Sequence, residues 1–141
     1  MTIRSFFAID INSEAVVKNI LNLQEELDIP DSRIAFVSPD NFHFTLKFLG
    51  EIDPAIIPAL KEKAEKVPFQ EFEIELEGVG CLPNFNYINA IFVDVTTGMA
   101  KMTILAKKIG ELCVNFNFRR ESRPFKTHLT IGRVKRIKDR D

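Results

Sequence analysis

The chain has only two histidines, and both stand in the same four-residue pattern. The first copy is HFTL at 43–46 and the second is HLTI at 128–131. In each copy a Thr follows the His by two positions, and the other two residues are apolar. Residues i and i+2 of a β-strand point to the same face. Each copy therefore predicts a strand that carries its His and Thr on one face and its apolar residues on a core face.

The remaining periodicity predicts the element order β-α-β-β-α-β, followed by β-α-β. Ser13 and the Asp53-Pro54 pair are typical helix starts. Alternation at 71–77 predicts a strand, and the Gly- and Pro-rich stretch 78–86 predicts a loop. Helices that alternate with half-exposed strands favour an α+β fold with mainly antiparallel sheets. A length of 141 residues predicts one domain, or two very small lobes that share one core.

Several classes of protein are excluded by what the sequence lacks. There is no GxGxxG motif and no P-loop, which argues against Rossmann and Walker nucleotide sites. Two cysteines, Cys81 and Cys113, and two histidines at these spacings cannot assemble a four-ligand metal site, so no metal is expected. No apolar run is long enough to span a bilayer and no signal peptide is evident, so we expect a cytoplasmic protein with reduced thiols.

Charge is distributed unevenly along the chain. Residues 119–141 contain nine Lys and Arg against three Asp and Glu, a local charge of +6, whereas the other 118 residues carry ten against seventeen, a local charge of −7. Such a basic stretch is either a solvated surface or a surface that binds a polyanion.

The duplicated pattern suits chemistry at a phosphodiester. In-line displacement at phosphorus needs a base on one side and an acid on the other, and His43 and His128 would supply them near neutral pH. The hydroxyls of Thr45 and Thr130 would hold the non-bridging oxygens. The residues alone do not assign which His is the acid. The plainer alternative is that each His is a partly buried strand residue with a satisfied hydrogen bond.

At these residues the chain resembles the 2H phosphoesterase superfamily, and specifically the RNA 2′,3′-cyclic phosphodiesterase family once called 2′-5′ RNA ligases. VSPDNFHFTLKFLG at 37–50 and RPFKTHLTIGRVK at 123–135 are similar to its two motif regions, and RSFFAID at 4–10 is similar to its opening strand. The resemblance implies a single 2H phosphoesterase domain of residues 1–141. Its two pseudo-symmetric lobes, approximately 1–80 and 81–141, would surround a central cleft, with helices on the outside. Only ten residues follow position 131, so we expect a shortened C-terminal lobe with an open sheet edge.

The resemblance also implies roles for the four residues. It implies metal-independent hydrolysis of RNA 2′,3′-cyclic phosphate ends to 2′-phosphomonoesters without a cofactor, and weak reverse 2′-5′ RNA ligation. His43 would donate a proton to the leaving 3′ oxygen, His128 would activate water, and Thr45 and Thr130 would hold the phosphate. The implied partner is RNA with a cyclic end, tRNA fragments among them. A monomer is expected, and an edge-mediated dimer is the alternative.

Other residues are candidates for substrate binding. Simple alternation places Arg133 on the strand face opposite His128, but a bulge at Gly132 would turn it toward the same face, where the resemblance makes it a phosphate or RNA contact. Lys126 fits a basic rim, and Phe42 is a candidate for base stacking. Lys47 lies two positions after Thr45 and is a further candidate for a phosphate contact. For each of these residues the alternative is a surface or core role.

Two alternative functions stay open at this point. The same site would serve a phosphodiesterase that acts on another cyclic or 2′-5′ phosphoester. A module that binds RNA ends or nucleotides without turnover is the second alternative, although the intact His and Thr quartet argues against it.

Overall fold

A computed structural model describes residues 1–30, 32–84 and 87–136 of the chain. None of its described helices combines the length and apolarity needed to cross a bilayer. Short 3₁₀ turns cover Pro39–Asn41 and Pro54–Ile56, and the α+β class and the predicted element order are confirmed. The longer elements, in chain order, are β1 (Ile3–Asp10), α1 (Glu14–Leu27), β2 (Arg33–Phe36), β3 (His43–Ile52), α2 (Ile57–Glu65), β4 (Glu75–Asn84), β5 (Tyr87–Thr97), α3 (Met99–Val114) and β6 (Leu129–Arg136).

The predicted helix starts are present. The Ser13 hydroxyl caps α1 by accepting a hydrogen bond from the Val16 N–H at 3.4 Å. The Asp53 carboxylate accepts from the Ala55 N–H at 2.9 Å, with Pro54 in the first turn. Both caps satisfy main-chain donors that a helix terminus otherwise leaves without partners.

The described chain forms two compact units that interleave in sequence. Unit 1 comprises residues 1–9, 45–75 and 97–127, and unit 2 comprises 10–44, 76–96 and the chain from 128 onward. The predicted division near residue 80 differs from this arrangement, because the chain passes between the units five times. The cause is long-range strand pairing, which joins β2 near the N-terminus to β6 near the C-terminus.

Unit 1 contains the two-stranded sheet β1-β3 and the helices α2 and α3. Its buried cluster combines Leu46 of β3 with four residues of α3. Leu105, Ile109 and Cys113 recur every four residues, so they form one stripe along the helix. Burial of one side chain of Leu size stabilises the fold by about 1.5–3 kcal/mol.

Unit 2 contains a four-stranded sheet in the order β2-β6-β5-β4, with β6 antiparallel to both β2 and β5. Helix α1 is tied to this sheet by Gln24, whose buried side-chain amide donates to the carbonyls of Val37 at 2.9 Å and Ile131 at 3.0 Å. Because β6 has a neighbour on each side, its position is fixed by main-chain hydrogen bonds along both edges.

Strand β4 differs from the sequence prediction. It covers Glu75–Asn84, so it takes up most of the stretch 78–86 that was predicted as a loop and leaves 71–74 outside the strand. Gly78 has a φ of 89°, a left-handed conformation that glycine adopts without a steric penalty. Among the strands that the structure describes, only β5 pairs with β4, and an edge strand of this kind accommodates irregular backbone.

Candidate active site

The alternation predicted for both His-x-Thr patterns is confirmed. His43 and Thr45 are half-buried along β3, whereas Phe44 and Leu46 between and after them are buried. His128 immediately precedes β6 and Thr130 lies within it; both are half-buried, and the apolar residues of that copy are fully buried. His43, His128 and Thr130 belong to unit 2, and Thr45 belongs to unit 1. The joint use of all four side chains stays a prediction.

The imidazole of His43 is held by the turn that precedes it. Its Nδ1 lies 2.7 Å from the carbonyl oxygen of Asn41, the last residue of the 3₁₀ turn. A carbonyl oxygen only accepts, so Nδ1 carries the proton and donates it in this hydrogen bond. Exchange of a proton with a substrate would therefore use Nε2 of His43. The tautomer is thus set by local chain geometry.

The imidazole of His128 is held by a ring stack. It lies against the ring of Phe92 on β5, with ring centroids 3.9 Å apart and an interplanar angle of 25°. The Phe92 ring in turn covers Gly80 of β4, where a Cβ atom would lie 2.5 Å from Cζ of that ring. Three residues therefore lie in successive layers: Gly80, Phe92 and His128. Phe92 was not among the residues predicted from the sequence. Because the stretch 78–86 was predicted as a loop, Gly80 was not recognised as a strand glycine, which would have indicated a close approach.

The predicted bulge in β6 is confirmed, and it reorients Arg133. Ile91 pairs with Gly132 and Phe92 pairs with Thr130, so Ile131 has no opposite residue on β5. Ile131 and Gly132 are both buried, and Arg133 is exposed. The extra residue shifts the alternation by one position, so Arg133 shares its face of β6 with Thr130 instead of pointing to the core.

Phe42 does not offer a surface to a base. Only 1% of the residue is exposed, and its main-chain carbonyl accepts a hydrogen bond from the Ile11 N–H at 3.1 Å. A ring enclosed on all sides packs the interior and cannot stack on a ligand. The prediction of base stacking at Phe42 is therefore wrong.

The phosphate contact considered for Lys47 is also contradicted. Lys47 is 6% exposed, and its Nζ donates to the Arg119 carbonyl and to the Glu121 carboxylate, both at 2.8 Å. Leu46 and Lys47 are buried in succession, which interrupts the alternation of β3 and leaves Phe48 68% exposed. Phe48 follows its His by five positions, as Arg133 does in the second copy, and sequence reasoning missed it.

Lys126 is exposed and lies beside a cavity of unit 1. The cavity has a volume of about 480 Å³, and Thr45 of β3 and Lys126 both line it. Residues 46–48 of β3, one face of α3, and residues 120, 121 and 123–125 complete the lining. Lys126 thus lies on a surface that also includes one of the four predicted catalytic side chains, and its role as a rim cation stays a prediction.

The other titratable groups add no metal site in the part of the chain that the structure covers. Within residues 1–30, 32–84 and 87–136, no three His, Cys, Asp or Glu side chains lie close enough to hold a metal ion. Cys81 and Cys113 are free thiols, and burial raises the pKa of both.

Comparison with known sequences identifies close relatives. Residues 9–92 match the family model described as LigT-like phosphoesterase. A protein of Archaeoglobus fulgidus named RNA 2′,3′-cyclic phosphodiesterase is 35% identical over 133 residues, which cover 94% of this chain and 73% of the relative. The protein of the same name from Methanothermobacter thermautotrophicus is 32% identical, with 100% of this chain and 76% of the relative covered.

Solved structures show the same fold. A protein of Thermus thermophilus superposes with a TM-score of 0.80 at 23% identity, covering 97% of this chain and 77% of that one. LigT of E. coli, crystallised with 3′-AMP, superposes with a TM-score of 0.77 at 25% identity, covering 94% and 74% of the two chains.

Proposed function

The chain belongs to the LigT-like phosphoesterase family, and from this premise we propose that it is an RNA 2′,3′-cyclic phosphodiesterase that forms 2′-phosphomonoester ends. The observation that carries the proposal is the pair of strands on which a His and a Thr occupy the half-buried positions. Relatives at 32–35% identity bear the name of this activity and support the choice of substrate.

The reaction is a hydrolysis with two proton transfers. His128 accepts a proton from water, and the water oxygen forms a bond to phosphorus. The bond between phosphorus and O3′ breaks, and O3′ takes a proton from Nε2 of His43. The product carries a 2′-phosphate and a 3′-hydroxyl. The hydrogen bond from Nδ1 of His43 to Asn41 supports the choice of Nε2 as the donor atom.

The remaining side chains stabilise charge on the phosphoryl group. Thr45 and Thr130 would donate hydrogen bonds to the non-bridging oxygens, on which charge grows in the transition state. Arg133 shares a strand face with Thr130, so its guanidinium is suited to the same phosphate in a bidentate contact. Lys126 would attract the RNA backbone from the rim of the cavity beside Thr45.

The test is turnover of a short RNA with a 2′,3′-cyclic end in the presence of EDTA. We expect a 2′-phosphate product, and His43→Ala and His128→Ala should each lower kcat by about 10²–10⁴. Circular dichroism controls for folding, and Lys61→Ala, a surface change outside the site, serves as a control for preparation. A 3′-phosphate product, or single variants with full activity, would refute the assigned roles. Tight nucleotide binding without turnover would indicate a binding module.

We extend the proposal to partners and location. The RNA substrates include tRNA fragments with cyclic ends, and the two free thiols support a reducing, cytoplasmic compartment. Weak 2′-5′ ligation follows if a 5′-hydroxyl attacks phosphorus in place of water: His128 takes the hydroxyl proton, the bond between phosphorus and O3′ breaks, and a 2′-5′ phosphodiester forms. We expect a monomer in light scattering, and a dimer that depends on an open sheet edge would refute this point.

A further inference from the structure

The cavity of unit 1 extends well beyond Thr45. Its wall on α3 is formed by Thr103, Ala106, Lys107, Gly110 and Glu111, which follow one face of the helix. Eight residue steps at 1.5 Å make this wall about 12 Å long. A volume of about 480 Å³ is in the range of sites that bind small organic ligands. The cavity therefore has room for a nucleotide in addition to the group held by Thr45.

The charges around this cavity are unbalanced. Both acidic side chains of the lining are already paired, since Glu121 binds Lys47 at 2.8 Å and Glu111 binds Arg120 in two hydrogen bonds of 2.9 and 3.0 Å. Three further cations line the cavity and form no ion pair with any described residue: Lys107, Arg123 and Lys126. The surface therefore carries a local excess of positive charge that suits a polyanion.

An aromatic ring lies on the same surface. Phe48 lines the cavity and is 68% exposed, and its ring lies beside that of Phe6 with ring centroids 6.0 Å apart. Exposed aromatic rings between cations are typical of single-stranded nucleic-acid sites, where bases stack on the ring and cations contact the phosphates.

The chemistry of the substrate limits which nucleotide this is. A 2′,3′-cyclic phosphate terminates an RNA, so the rest of the strand continues only through the 5′ oxygen of the last nucleotide. We propose that the cavity beside Thr45 binds the nucleotide that precedes the cyclic end, with Arg123, Lys107 and Lys126 on its phosphates and Phe48 against its base. This inference rests on the proposed function and adds a preference for oligonucleotides over a cyclic mononucleotide.

A second copy of the chain is the competing occupant, because β3 pairs only with β1 among the described strands. A symmetric pairing would place the same excess of positive charge on both sides of the interface. Like charges that face each other destabilise such a contact, and cations along an edge disfavour strand pairing. The charges therefore favour RNA.

Gly110 allows a test that removes no binding group. A Cβ added at this position meets no atom within 4 Å, and Gln and Glu are better helix formers than Gly. Gly110→Gln adds bulk to the cavity, and Gly110→Glu adds the same bulk with a negative charge. Ile104→Glu adds that charge to another face of α3, since Ile104 is exposed and lies outside this lining.

The measurement is kcat/KM for a cyclic mononucleotide and for a dinucleotide with a cyclic end, together with calorimetric binding of the matching 2′-phosphate products. We expect wild type and Ile104→Glu to prefer the dinucleotide, and Gly110→Glu to lower that preference about fivefold relative to Gly110→Gln. The preference should also weaken with added salt. Equal preferences in the two Gly110 variants would overturn the inference.

Two further outcomes separate this inference from the proposed function. Turnover of the mononucleotide with no preference for the dinucleotide would leave the proposed function in place and overturn the cavity assignment. Failure to turn over either compound, with a dinucleotide affinity that Gly110→Glu lowers, would refute the proposed function and support the cavity. A wild-type dimer in light scattering that Gly110→Glu converts to monomers would assign the cavity to a second copy and overturn the inference.

Discussion

A methyl group at Gly80 should reduce catalysis more than it reduces stability. The added Cβ would lie 2.5 and 2.6 Å from Cζ and Cε2 of Phe92, whereas carbon atoms prefer about 3.5–4.0 Å. Relief of this overlap requires the Phe92 ring to move by about 1 Å. The ring is already in contact with the imidazole of His128, so the displacement is passed to the proposed base or breaks the stack.

The two expected effects differ in size. The displaced atoms lie at the far end of a side chain, so overpacking should cost about 1–2 kcal/mol of unfolding free energy. Part of this cost is offset because Ala restricts the unfolded chain more than Gly does. A displacement of about 1 Å at a catalytic group can lower the rate roughly 10²-fold. We therefore expect Gly80→Ala to lose kcat while the protein stays folded.

The assay combines kcat on a cyclic-ended RNA with urea unfolding of the same preparations. Phe92→Leu serves as the companion variant, because Leu lacks the ring atoms that the new methyl group would meet. The double variant should recover the stability lost by Gly80→Ala but not the activity, since no ring remains beside His128. If Gly80→Ala lost stability yet kept kcat within about twofold of wild type, the stack would have no role in positioning His128.

Three further outcomes follow from contacts described above. Gln24→Leu removes the side-chain donor of the Val37 carbonyl, whereas the Ile131 carbonyl keeps a hydrogen bond from the Val37 N–H at 3.0 Å, so the change should cost roughly 1–2 kcal/mol in urea unfolding; a change below about 0.5 kcal/mol would contradict the tie between helix and sheet. Lys47→Met keeps the apolar stem of the side chain and should lower the free energy of unfolding by about 1–2 kcal/mol. Most of this loss should come from the hydrogen bond to the Arg119 carbonyl, because Glu121 is largely exposed. The KM for a cyclic nucleotide should not change, and a raised KM at unchanged stability would show that Lys47 contacts the phosphate after all. Iodoacetamide at neutral pH should label both thiols slowly, since burial raises each pKa and lowers the thiolate fraction, and mass spectrometry should find Cys81 labelled before the fully buried Cys113.

The features that were predicted correctly depend on local sequence. Alternation within each His-x-Thr copy predicts which face of the strand is accessible to solvent and which faces the core, because successive side chains of a strand point in opposite directions. The helix starts at Ser13 and Asp53 depend on hydrogen bonds within one turn. Gly132 indicated the position of the bulge, since glycine inside a strand pattern often marks one.

The features that were missed depend on residues far away in sequence. Lys47 was considered for a phosphate contact because it lies two positions after Thr45, but its amine instead donates to the Glu121 carboxylate, 74 positions later. Phe42 is hidden by tertiary packing that no local pattern reports. The interleaving of the two units follows from the pairing of β2 with β6, which joins residues 36 and 132.

The place of β6 in its sheet has a consequence for synthesis on the ribosome. This strand is the last described element of the chain, yet it lies between β2 and β5. Until residues 129–136 leave the exit tunnel, the strands on its two sides have no common neighbour and expose main-chain donors and acceptors. The nascent polypeptide therefore completes this sheet only after residues 129–136 have emerged, and chaperones that cover unpaired edges have most to do before that point.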